Sequence, residues 1–406
     1  MQIYGFLFGK LYLCNRKIKT NIKMKKILFW VVTAAAALTA CKGNKQTGNE
    51  TTDSTAVETE QAAPEQAYDL EAIAKVIDGA QTVMGFSEGR ASVINKDGKL
   101  GVIDTKGNVI IPFEYNYSVF RYRDGIICCC KNSEDLWCYF DHDGKKLFET
   151  HDGGASQFSD GFACKYSSES GKYYFIDKEG KPAFDGKQWY WAESFSDGMA
   201  LVNDGTAWGF IDTTGKLVIP CKYDTPSERN PEGFHEGLAA VVIDPAYERF
   251  AYIDKTGKQV FSKLYNYDAP FSEGLAAVWD RDLDRATYID KTGKNVIILD
   301  EGIRGETFHE GLAMISKSGS PIGYIDKTGK QVITLSEGAY KQAEPFYDGR
   351  ARVWDGNGYG FIDTTGKLVI PCEYKCYEGF CEGLVPVEKD GKQGYLDKDG
   401  NSTFDY

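Results

Sequence analysis

The sequence predicts an all-β repeat protein of about nine three- to four-stranded units, and three observations carry that expectation. A tetrapeptide of the form aromatic-x-acid-Gly begins at Phe86, Tyr122, Phe158, Phe195, Phe234, Phe271, Phe308, Phe346 and Phe380, at steps of 34 to 39 residues. Each is followed by a short apolar run ending in Asp-x-x-Gly, at Asp104, Asp141, Asp177, Asp212, Asp254, Asp290, Asp326, Asp363 and Asp397. Composition agrees: 25 Tyr, 23 Phe and 44 Gly against 12 Pro suit many short strands joined by tight turns.

Within a unit, the residues two and four positions after the first Gly form columns. They run Ala91, Ala163, Ala200, Ala239, Ala276, Ala313, Ala351 and Val93, Val202, Val241, Val278, Ile315, Val353, Val387. Such alternation predicts a half-buried strand, and the Ala column predicts close approach of another backbone. A second strand runs through Phe210, Tyr252, Tyr288, Tyr324, Phe361 or Tyr395 into the Asp. The Asp side chain can accept from the amide two residues on, and Gly supplies the positive φ that closes the loop. A third strand follows, as in Lys216–Pro220. The stretch GFIDTTGKLVIPC occurs at both 209–221 and 360–372, which points to duplication of a block of units.

The content of a unit suits a propeller blade, so a β-propeller-like ring is favoured, with a β-hairpin solenoid as the alternative. Residues 75–77 and 82–84 could supply a strand that completes the last unit and removes free edges. They could equally form a cap, or a short amphipathic helix from Leu70 to Ile77.

The N-terminus reads as an address. Residues 1–23 look superfluous, and 24–40 hold two lysines, an apolar run from Ile27 to Ala37 and then Leu38-Thr39-Ala40 before Cys41. That run is short for a membrane span and has the zones of a secretory signal. Its last four residues resemble the bacterial lipobox, and the resemblance implies that Cys41 is acylated and anchors the chain to a membrane. Residues 41–67 are polar, with little to bury, and predict a flexible tether before a repeat domain at 68–406.

The repeat residues resemble the bacterial WG, or KWG, repeat family, whose units combine both signatures; the eponymous Trp-Gly survives at Trp208-Gly209. The resemblance implies a β-repeat of envelope or secreted proteins and no agreed activity.

The formal charge is -12, but from residue 41 onward 40 Lys or Arg face 59 Asp or Glu, which is -19. This balance argues against a nucleic-acid partner. The nine Asp residues offer mostly one carboxylate per loop, too few for calcium, so they read as structural turns and no metal or cofactor is expected. His235 and His309 lack a second His four residues on and read as decoration of an exposed turn. Cys128, Cys129, Cys130, Cys138 and Cys164 cluster where a disulfide is plausible, while Cys221 and Cys372 look like small buried side chains. Gly356-Asn357-Gly358-Tyr359-Gly360 reads as a turn rather than a phosphate loop. Trp189, Tyr190 and Trp191, with Trp279 and Trp354, are candidate binding residues, because exposed rings stack on sugars and anchor proteins; packing between units is the competing role.

No catalytic residues stand out, and the expectation is a noncatalytic, membrane-anchored envelope lipoprotein whose scaffold binds a protein, peptide or glycan. The alternatives are a propeller-type hydrolase acting on glycans and a structural spacer.

Overall fold

The computed structural model describes residues 67–131, 136–151, 153–224, 232–244, 246, 249–265 and 269–406. The leader, the signal, Cys41 and almost all of the tether lie outside them. Among the described residues the strands form nine antiparallel sheets of two to four strands. In the first, β1 (Thr82–Val83), β2 (Arg90–Ile94), β3 (Leu100–Asp104) and β4 (Val109–Tyr115) are neighbours in chain order. The same meander recurs in later sheets, for example Trp191–Ser196, Met199–Asn203, Trp208–Asp212 and Leu217–Tyr223.

The aromatic-x-acid-Gly signature joins the first strand of a unit to the second. Its acid and Gly both have positive φ, as at Glu88 (52°) and Gly89 (70°), and Ser87 and Arg90 exchange backbone hydrogen bonds of 2.8 and 3.1 Å. This is the two-residue hairpin turn whose twist matches that of the strands. The Asp-x-x-Gly signature joins the third strand to the fourth. In all nine units the Asp Oδ1 accepts from the amides two and four residues on, at 2.8 to 3.2 Å. The turn Gly also allows close packing: a Cβ on Gly215 (φ 80°) would lie 2.4 Å from the Phe184 ring of the preceding unit.

Buried apolar residues divide into nine clusters, each shared by consecutive units. Ala239 and Val241 face the fourth unit, whereas Leu238 and Ala240, on the other face of the same strand, meet the sixth. The expected half-buried strand is therefore corrected: the second strand is buried on both faces, because each sheet is covered by a neighbour on either side. Aromatic pairs repeat across these interfaces. Phe210–Phe234, Tyr288–Phe308, Tyr324–Phe346 and Phe361–Phe380 each have ring centroids 4.9 Å apart with planes inclined by 62–77°.

The series closes on itself, which makes the architecture a β-propeller ring and not a solenoid. Tyr395 of the last unit pairs with Phe86 of the first at 5.3 Å, and its hydroxyl donates to the Met84 carbonyl at 2.7 Å. Among the described residues no N-terminal strand completes the last sheet, since β1 pairs with β2 of its own unit. The alternative of a helix is what forms: α1 (Leu70–Ile77) is capped by Asp69, whose side chain accepts from the Ala72 amide at 2.9 Å. Ile73 and Ile77, both buried, pack with Leu384 and Tyr395, and the Tyr68 hydroxyl donates to the Glu382 carbonyl at 2.6 Å. A Cβ on Gly107 would come within 2.8 Å of the Ala72 carbonyl carbon. The helix thus occupies, against the first unit, the place that a preceding unit's fourth strand takes elsewhere. A 3-10 turn at Thr403–Asp405 replaces that strand in the last unit.

Two outcomes follow from this arrangement. Ile73→Ala should cost about 2–5 kcal/mol in thermal or denaturant unfolding, as a buried aliphatic contact at the seam is emptied; an unchanged midpoint would show that the helix does not hold the ring. The second concerns pH. The Thr hydroxyls two residues on, at Thr214, Thr256, Thr292, Thr328 and Thr365, hold the carboxyls of Asp212, Asp254, Asp290, Asp326 and Asp363 below their ordinary value of 3.8. A carboxyl that binds its proton less tightly when folded stabilises the fold above its unfolded pKa, and that stabilisation is lost as pH falls through the lower folded value. Replacing the five threonines by Val should lower Tm at neutral pH and make its decline below about pH 4 shallower. A decline as steep as in the unaltered protein would refute this role.

Candidate functional site

An antiparallel meander places the acid-Gly hairpins and the Asp-x-x-Gly turns at one end of the ring, and the hairpins between second and third strands at the other. The first end is held by a belt of carboxylates. Each hairpin acid accepts from the Gly amide of the next unit: Glu88 from Gly125 (2.9 Å), Asp124 from Gly161 (2.8 Å), Asp160 from Gly198 (2.8 Å) and Asp197 from Gly237 (2.5 Å). Glu236, Glu273, Glu310 and Asp348 do the same with Gly274, Gly311, Gly349 and Gly383, at 2.8 to 3.0 Å. Glu382 completes the circuit, accepting from the Glu88 amide at 2.6 Å and the Gly89 amide at 2.8 Å. Lysines in the following unit add charge at three places, Lys255 on Asp197 (2.9 Å), Lys291 on Glu236 (3.1 Å) and Lys327 on Glu273 (3.0 Å).

These nine acids are structural residues that sequence reasoning missed. Acid-Gly between two apolar alternating runs is a two-residue hairpin signal that was available; the partner amide, about 36 residues away, was not. With each carboxylate accepting from a neighbouring amide, the belt holds the units together. Among the described residues, no group of three His, Cys, Asp or Glu side chains is placed to hold a metal ion.

At the inner edge, the strands preceding the hairpins bring Arg121 of the second unit to Glu378 of the last, and Glu378 also accepts from the Gly85 amide at 2.9 Å. Glu344 takes Arg352 in a two-armed pair, at 3.0 and 2.5 Å. Glu306 reaches water, yet the protein crowding around it raises its carboxyl pKa above the ordinary value.

The opposite end carries the aromatic residues. Trp189 is buried in the core shared by units three and four, bonds through its backbone to Tyr173, and lies beneath the Lys187 ammonium at 4.4 Å. It is a packing residue, not an exposed one. Tyr190 is 61% exposed and stands over Gly205. Trp191 is half-buried, and its indole Nε1–H donates to Glu193 at 2.6 Å. Its ring lies 4.8 Å from Tyr173, which in turn lies 5.2 Å from Tyr166, itself 47% exposed. Tyr173 packs on the core between units three and four, whose interior holds Phe175 and Phe195, whereas Trp191 packs on the core between units four and five, so the three rings meet at the surface where two cores adjoin. Neither Tyr166 nor Tyr173 belongs to either repeat signature, and only the pairing of Tyr166 with Tyr173 across their hairpin brings them together.

Trp354 is half-buried and stacks near Tyr359 at 6.3 Å, where the Arg352 guanidinium lies 4.8 Å from the Tyr359 ring. Trp279 is half-buried beside Asp280, a fully buried carboxylate paired with Lys263 at 2.7 Å. The candidate rings therefore lie in separate interfaces rather than in one site.

Three further expectations change. His235 and His309 are half-buried in the acid-Gly hairpins, His309 against Tyr347 at 4.9 Å, and burial lowers both imidazole pKa values. Their column faces the next unit, where Ser196 and Ser272 donate to the carbonyls of Phe234 and Phe308. The nine described cysteines are thiols rather than disulfides, and burial pushes up the pKa of Cys128, Cys129 and Cys164. Cys221 and Cys372 are half-buried, because they lie on outer strands with one neighbouring sheet. The Gly356–Gly360 segment, by contrast, is the expected turn, a hairpin in which Asp355 accepts from the Asn357 and Gly358 amides at 2.7 and 3.0 Å.

Comparison with known proteins supplies a family. The model of the WG containing repeat matches residues 101–134, 175–205, 208–244, 250–278, 322–357 and 359–392. No curated protein matches the chain. Similar solved structures include BamB from Moraxella catarrhalis, 11% identical over 68% of this chain and 93% of that one, with a TM-score of 0.39. Apo AztD from Citrobacter koseri is 13% identical over 71% and 84%, with a TM-score of 0.35. A eukaryotic initiation factor is 9% identical over 80% and 86%, with a TM-score of 0.42. Six matched stretches spread along a ring of hairpin-linked sheets show that the chain belongs to the WG-repeat family.

Proposed function

We propose that this WG-repeat propeller is a noncatalytic binding scaffold of the bacterial cell envelope, anchored to a membrane through Cys41. One observation carries the reading: at one end of the ring the repeated acids are consumed by backbone amides, while the other end offers aromatic side chains held by their neighbours. A uniform frame with local variation at exposed positions is how repeat proteins present binding surfaces. Rings whose orientation is already fixed lose little conformational freedom on binding a partner. Attachment rests on the signal-like run from Met24 and the Leu-Thr-Ala-Cys sequence at 38–41. The acidic body, at -19 from residue 41 onward, disfavours nucleic acid and other polyanions as partners.

The test has two arms. In cells, the protein should sediment with membranes and incorporate a labelled fatty acid, and Cys41→Ser should abolish both; equal labelling of the variant would refute the anchor. In vitro, the soluble body from residue 67 to 406 should bind isolated envelope material saturably. A body carrying Tyr190→Ala and Trp191→Ala should bind less, and the absence of any saturable binding by the unaltered body would refute the scaffold reading.

A further inference from the structure

We infer that the aromatic wall of Tyr166, Tyr173 and Trp191 is a binding site for a neutral oligosaccharide, an inference that rests on the scaffold reading and gives it a ligand class. Two of its rings are anchored by packed cores, Tyr173 on that between units three and four and Trp191 on that between units four and five, so they need little ordering to accept a ligand. Successive planes turn by 60°, an edge-on contact, and by 47° at centroid separations of 5.2 and 4.8 Å, so the rings form a contiguous but not flat aromatic surface. Sugars combine apolar C–H faces with hydroxyl edges, and the wall matches both. The rings supply the stacking faces, and the phenols of Tyr166 and Tyr173 supply donors and acceptors at their edges. Glu193 fixes the indole by accepting its N–H at 2.6 Å and places a carboxylate beside the stacking surface.

Size separates this ligand from a protein. With Tyr166 47% exposed and its two neighbours half-buried, the three rings offer on the order of 200 Å². A stable protein interface needs about 800 Å² on each side. Charge narrows the class further: with Glu193 at its edge on a 67–406 body that carries 38 Lys or Arg against 54 Asp or Glu, a net charge of -16, the wall selects against sulfated or uronic-acid polymers.

Titration of the 67–406 body with neutral tetrasaccharides of β-1,4-linked glucose, β-1,4-linked N-acetylglucosamine and α-1,4-linked glucose, followed by tryptophan fluorescence and calorimetry, provides the test. At least one should give a saturable response with one site. Trp191→Ala and Tyr166→Ala should each weaken it by about tenfold or more with Tm unchanged, whereas Trp354→Ala should not; heparin should give no response. If a variant loses its fold, Trp191→Phe, which keeps a ring but loses the bond to Glu193, should retain weaker binding. No response to any neutral glycan, or binding unaffected by Trp191→Ala, would overturn the inference. Continued Trp191-dependent binding of envelope material in that case would point to a protein partner and leave the scaffold reading standing.

Discussion

The whole structure depends on one repeated contact, the carboxylate of an acid-Gly hairpin accepting from the Gly amide of the next unit. It acts twice. A non-Gly residue at φ near 52° is disfavoured by sterics, and the bond to the next unit helps hold Glu88 and its eight counterparts there. The same bond sets the spacing between consecutive sheets, because a short charge-assisted bond tolerates little displacement. Where the chain ends, Glu382 makes two such bonds to the first unit, and the belt has no free terminus.

Burial follows from that spacing. A sheet of two to four strands cannot bury both faces alone, and here each is covered by its neighbours, so the described residues form nine interfacial cores in place of one central core. The edge problem of β-structure is then confined to the outer strands and to the seam. Pro112, Pro220 and Pro371 interrupt three of the outer strands, an arrangement that blunts further pairing. At the seam α1 takes the place of a strand: a helix satisfies its own backbone, so it can cover the last unit without offering another edge.

The two ends differ in chemistry for the same reason. Hairpins that bear the intermolecular-like spacing between units cannot vary their acid or their Gly without loosening the ring, so that end is uniform. The hairpins between second and third strands are free to carry Tyr166 or Trp354, and the connection leading into the fourth unit's first strand carries Tyr190. Binding chemistry on such a scaffold falls naturally where the repeat tolerates change.

By itself the sequence determined the unit: its boundaries, its strands, the Asp-centred turns and the all-β class, because each depends on residues within a few positions of one another. Asp212 and Gly215 declare a turn wherever they occur together. It also offered α1 as one alternative, since Leu70, Ile73 and Ile77 share a helical face. Tertiary structure alone decided how units meet. That Glu88 bonds Gly125, that Trp189 is buried while Tyr166 is exposed, and that the histidines face a neighbour all depend on contacts between residues tens or hundreds of positions apart. Closure was the least legible feature, because Glu382 and Gly89 are separated by almost the whole ring and only its completed curvature brings them within hydrogen-bonding distance.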